Sequence, residues 1–89
     1  MYSYEIKPSL QKILQKLMKK DKVTYEQILD KIEEIINLDN VDHYKNLRYN
    51  LKEEKRVHIG HFVLVFQFLK SENKIIFLDF DHHDNIYSR

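Results

Sequence analysis

Lys55-Arg56-Val57-His58-Ile59-Gly60-His61-Phe62-Val63-Leu64-Val65-Phe66 is the stretch that decides the fold. Two runs rich in β-branched, aliphatic and aromatic residues flank the chain's single glycine, the pattern of two strands joined by a tight turn at Gly60-His61. In the first run Arg56 and His58 stand two residues apart, so a strand points both side chains to one face. The second run, Phe62 to Phe66, is apolar at every position, which fits a central strand covered on both faces. The strand holding this run extends to Leu69; the chain then turns at Ser71-Glu72-Asn73 and enters a further strand, Lys74 to Phe80. It closes on Asp81-His82-His83-Asp84-Asn85-Ile86-Tyr87.

Upstream of these strands, Tyr2 to Ile6 alternates enough for a first strand, and Pro8 suits the first turn of a helix. Leu10, Ile13, Leu14, Leu17 and Met18 then make one apolar helix face, with Lys12, Lys16, Lys19 and Lys20 largely off it. Asp21-Lys22 begins a break. A second helix opens at Thr24, whose hydroxyl caps together with Gln27, and carries Tyr25, Ile28, Leu29, Ile32, Ile35 and Ile36. It stops in Asn37-Leu38-Asp39-Asn40, and a polar linker leads to the strands. The spacing predicts an α+β fold in the order β-α-α-β-β-β, an N-terminal helical hairpin packed on an antiparallel sheet, as one domain over residues 1–89. Two helices cover one face of that sheet only; a bound partner is the expected cover for the other.

Eighty-nine residues bury about 60–65% of the surface they expose when unfolded, so stability is expected to be modest. There is no cysteine, which excludes disulfides, zinc knuckles and a thiol nucleophile. The first residues lack a basic flank followed by an apolar core, and no apolar run approaches about 18 residues; the expectation is a cytoplasmic protein that does not enter membranes. Net charge is +1, but it is segregated. Residues 1–22 hold six lysines and two acids, residues 23–42 six acids and one lysine, residues 43–58 five lysines and arginines and two acids. One face of such a molecule can meet phosphates while another repels them.

The order of elements, together with His43, Lys45 and Leu47, Arg56-Val57-His58-Ile59-Gly60 running into Phe62–Phe66, and His82-His83 five and four residues before Tyr87, resembles the RelE/ParE superfamily of bacterial and archaeal toxins, the RelE branch above all. The likeness covers nearly the whole chain. It implies the toxin of a type II toxin-antitoxin system: a ribosome-dependent endoribonuclease that cuts mRNA in the ribosomal A site, needs no metal or other cofactor, and is silenced in a hetero-oligomer with a RelB-like antitoxin. Two positions depart from the family's habit of arginine, Val63 in the central strand and His83 four residues before the last tyrosine.

Metal-free RNA cleavage needs a base for the 2′-hydroxyl, a cation for the charged transition state and an acid for the leaving 5′-oxygen. Arg56 is the candidate cation, because its guanidinium offers a planar fork to phosphate oxygens. His58, on the same face, holds phosphate or acts as an acid. His83 is the candidate for proton transfer, a role taken in place of the charge stabilisation that an arginine would give. Tyr87 acts as base if neighbouring cations lower its pKa from about 10, or stacks on a nucleobase. Lys45, Arg48, Lys52 and Lys55 form a basic stretch suited to an RNA backbone, and the lysines of the first helix a second contact with ribosomal RNA. Asp81-His82-His83-Asp84 contains metal-ligand types, but neighbours in an extended segment point opposite ways, so no metal centre is expected there. Two other classes fit the resemblance: a ParE-like inhibitor that binds DNA gyrase without catalysis, and an inactive relative that binds only its antitoxin.

Overall fold

The computed structural model describes residues 1–38 and 54–88. The elements are β1 (Ser3–Ile6), α1 (Pro8–Lys20), α2 (Lys22–Ile36), β2 (Glu54–Ile59), β3 (Phe62–Leu69), a short 3-10 turn (Lys70–Glu72), β4 (Lys74–His82) and α3 (His83–Tyr87). Pro8 stands in the first turn of α1, where its missing N–H costs nothing. The cap of α2 is Asp21 and not Thr24. Asp21 Oδ1 accepts the Thr24 N–H at 3.1 Å and Oδ2 accepts the Thr24 hydroxyl at 2.7 Å, so the cap lies three residues earlier than the Thr24/Gln27 pattern suggests.

The four strands lie in the order β1-β4-β3-β2. β2, β3 and β4 are antiparallel as expected, whereas β1 joins β4 in parallel, making the sheet mixed. An ion pair between Lys74 Nζ and Glu5 Oε1, 2.9 Å apart, ties this parallel edge. Gly60 adopts φ 63° in the β2–β3 turn, the left-handed conformation that glycine enters without strain. Asn73 does the same at φ 53° before β4.

Strand alternation sorts the core into two clusters. On one face Leu10 and Leu14 of α1 and Ile28, Ile32, Ile35 and Ile36 of α2 meet Leu64, Phe66 and Phe68 of β3 and Ile75, Phe77 and Phe80 of β4. Phe66 and Phe77 are fully buried cross-strand partners with ring centroids 5.8 Å apart. On the other face Val63 and Val65 are buried beneath Ile86 of α3, with Leu78 beside them. Leu78 reaches this cluster through a bulge: Phe66 pairs with Phe77 and Val65 with Asp79, leaving Leu78 as the extra residue. The second-face cover expected from a partner is thus supplied, over Val63 and Val65, by the chain itself. No helix among the described residues is long and apolar enough to cross a membrane.

The expectation of an extended segment at Asp81–Asp84 fails at its midpoint. The strand ends at His82, whose Nδ1 accepts the Asp84 N–H at 3.2 Å, and a helix starts at His83. The His83 N–H donates to the His61 carbonyl at 2.9 Å, fastening this start to the β2–β3 turn.

Candidate active site

Register places the site. Arg56 pairs with Val65 and His58 with Val63, so both side chains rise on the face that α3 crosses. His83 and Tyr87, four residues apart on α3, share one side of that helix. The His58 ring lies 5.6 Å from that of His83, centroid to centroid with the planes 29° from parallel, and 6.5 Å from that of Tyr87 at 24°. His83 and Tyr87 are 4.6 Å apart. The Arg56 guanidinium carbon stands 5.2 Å from the Tyr87 ring centroid, within cation–π range. Arg56, His58, His83 and Tyr87, separated by up to 31 positions in the chain, form one continuous group.

Arg56 is half-buried, and its Nε is buried with no hydrogen-bond partner among the described residues. A guanidinium held against a ring keeps its charge but forgoes solvent on that side, which leaves its outer nitrogens as the donors for an incoming anion. His58 and His83 are exposed and 37% of Tyr87 is accessible, so the group is an open surface. Charge is divided across it. β2 contributes Arg56 and His58, β3 the apolar Val65 and Val63, and β4 contributes Asp79 and Asp81 in the same cross-strand rows. Each of these aspartates accepts the backbone N–H of the next residue, Phe80 at 2.8 Å and His82 at 2.7 Å. An anion is favoured on the β2 side of α3 and disfavoured on the β4 side.

His83, and not His82, belongs to the group. His82 caps α3 and lies against Phe62 and His61, at 5.6 Å and 6.4 Å, near the turn. Lys55 does not reach the site face. It neighbours Arg56 in a strand, so alternation directs it to the helix side, where it is buried at 5% exposure. Lys45, Arg48 and Lys52 lie outside the described residues, as does His43. Among the described residues no group of three or more His, Asp or Glu side chains is arranged to hold a metal ion. Sequence reading missed the role of Asn85, whose amide donates to Asp81 Oδ1 at 3.0 Å, and of Ile86. The signal was present as the four-residue spacings His83/Tyr87 and Asp81/Asn85, a helical period in a segment read as extended.

The family model for the ParE toxin of type II toxin-antitoxin systems matches residues 4–87. A protein of Methanocaldococcus jannaschii named for the toxin RelE4 is 57% identical over 90 residues, covering all of this chain and 94% of its own. A Methanosarcina mazei protein without an assigned function is 44% identical, covering 98% of this chain and all of its own. Among solved structures, the intact RelBE toxin-antitoxin complex of Escherichia coli superposes with a TM-score of 0.76 at 17% identity, over 92% of this chain and 96% of that one. The RelE-RelB complex of Pyrococcus horikoshii gives 0.70 at 19% identity, over 91% and 93%. The structural likenesses carry the fold, and the family match with the 57% identical relative carries the kinship: the chain belongs to the ParE/RelE family of toxins of type II toxin-antitoxin systems.

Proposed function

We propose that this toxin is an endoribonuclease that cuts mRNA in the ribosomal A site. The observation that supports it is the meeting of Arg56, His58, His83 and Tyr87 on one open, cationic side of the sheet. In this reading an imidazole takes the proton of the 2′-hydroxyl, whose oxygen attacks phosphorus. The bond to the 5′-oxygen breaks, and a second imidazole gives that oxygen a proton, leaving a 2′,3′-cyclic phosphate and a 5′-hydroxyl. Arg56 holds the phosphate oxygens as charge builds on them, and its place against Tyr87 fixes the fork before substrate arrives. Tyr87 offers a ring for stacking a nucleobase. His83 supplies the proton transfer where relatives rely on arginine charge.

The same reading gives the toxin a RelB-like antitoxin, as the E. coli and P. horikoshii relatives have in their crystal complexes. The test is primer extension on a translated reporter mRNA, with and without ribosomes. A-site cuts that require ribosomes should fall by about 100-fold or more in Arg56→Ala, and His83→Gln should be impaired as well. Intact mRNA with folded wild-type protein sinks the proposal; full activity of His83→Gln removes His83 from the chemistry. The description of the matching family model favours one other reading, a ParE-type inhibitor of DNA gyrase, for which trapped DNA breaks replace cut mRNA.

A further inference from the structure

α3 has five residues, too few to be helical without tertiary support, so its contacts alone decide where His83 and Tyr87 stand. Ile86 provides an apolar anchor on Val63 and Val65, and an apolar contact fixes depth better than rotation. The His83 N–H bond to His61 and the His82 cap hold the first turn only. On the far side of the helix a side-chain hydrogen bond runs from Asn85 Nδ2 to Asp81 Oδ1 at 3.0 Å. Asp81 Oδ1 is itself located by the His82 N–H at 2.7 Å. His58, Val63 and Asp81 form one cross-strand row, so Asp81 and His58 stand two strand spacings, about 10 Å, apart with α3 across the gap. Asn85 holds the Asp81 end of that row while His83 and Tyr87 stack on the His58 end.

We infer that Asp81 and Asn85 are the positioning pair of this site: their hydrogen bond sets the roll of α3 and thereby the distances of His83 and Tyr87 from His58 and Arg56. Its catalytic consequence rests on the nuclease reading; the geometric statement does not. Asn85→Ala is the variant to make, because alanine has the higher helix propensity and removes the bond without weakening the helix by propensity. In the 89-residue chain, NMR ring-proton shifts of His58, His83 and Tyr87 should move toward their unstacked positions while the Leu64 and Ile28 methyls of the opposite core stay in place. Turnover on ribosome-bound mRNA should fall about 10- to 100-fold with KM little changed. The exchanged pair Asp81→Asn with Asn85→Asp keeps a donor opposite an acceptor and should restore both readouts. Ring shifts unmoved in Asn85→Ala, no rescue by the exchanged pair, or full turnover despite displaced rings each overturn the inference. Displaced and rescued rings in a protein whose wild type leaves mRNA intact support the positioning pair and sink the nuclease reading.

Discussion

At the residue scale, the polar groups with resolved electrostatic shifts lie away from the site and act on stability. The hydrogen bond and charge of Lys74 hold the Glu5 carboxyl below its ordinary value, and Glu5 in turn raises Lys74. The hydroxyl and N–H of Thr24 lower Asp21. A lowered carboxylate contributes stability that is complete above its unfolded pKa and is lost as pH falls through the folded one; a raised lysine contributes below its unfolded pKa and loses it as pH rises through the folded one. Melting temperature should therefore fall from about pH 4.5 downward, where Glu5 and Asp21 take up protons, and again above about pH 10.4, where Lys74 loses its own. Melts across pH distinguish the two sites: Asp21→Asn flattens the acid limb only, while Glu5→Gln flattens both. Glu5 and Asp21 are exposed and Lys74 is partly so, and the effects are small and shrink with salt. The Arg56/His58 pair was legible from spacing alone, since period two leaves a strand residue one choice of face; the same period puts Lys55 on the opposite, buried face, against its reading as an RNA contact. The cap at Asp21 was not, because Asp21 and Thr24 both carry capping chemistry and only the backbone path chose between them.

At the scale of elements, β3 and α3 differ in what supports them. β3 lies in the middle of the sheet with buried residues on both sides, so its bounds, Phe62–Leu69, were readable from composition. α3 exists because Ile86 finds Val63 and Val65, and a five-residue segment carries too little periodicity to announce itself. Truncating the two anchors should separate stability from activity. Phe77→Ala removes a fully buried ring from the larger core and should cost about 3–5 kcal/mol in denaturant melts, a large share of what a small domain has. Ile86→Ala should cost about 2 kcal/mol, at the low end for an isoleucine because its cluster is small, yet release α3 and, on the proposed nuclease reading, reduce RNA cutting far more than that loss implies. Equal losses of stability in the two variants would mean that α3 is integral to the main core.

For the whole molecule, the two clusters imply two levels of stability in one chain. Amides of Leu64, Phe66 and Phe77 should exchange with deuterium only on global unfolding, and those of Ile86 and Tyr87 much sooner through local release of α3, a contrast that native-state exchange followed by NMR resolves. Uniform protection would show α3 and the sheet opening as one unit. The sequence by itself determined the types and order of the six elements from β1 to β4, the apolar face of each helix, the central place of Phe62–Phe66 and the shared face of Arg56 and His58, but not the helix α3. These follow from local periodicity and alternation, which any stretch of a few residues already contains. Only the tertiary structure decided that β1 runs parallel to β4, that His83 rather than His82 meets His58, and that α3 closes over Val63. Each depends on contacts between residues far apart in the chain, where a bulge of one residue or the roll of one short helix changes which side chains meet.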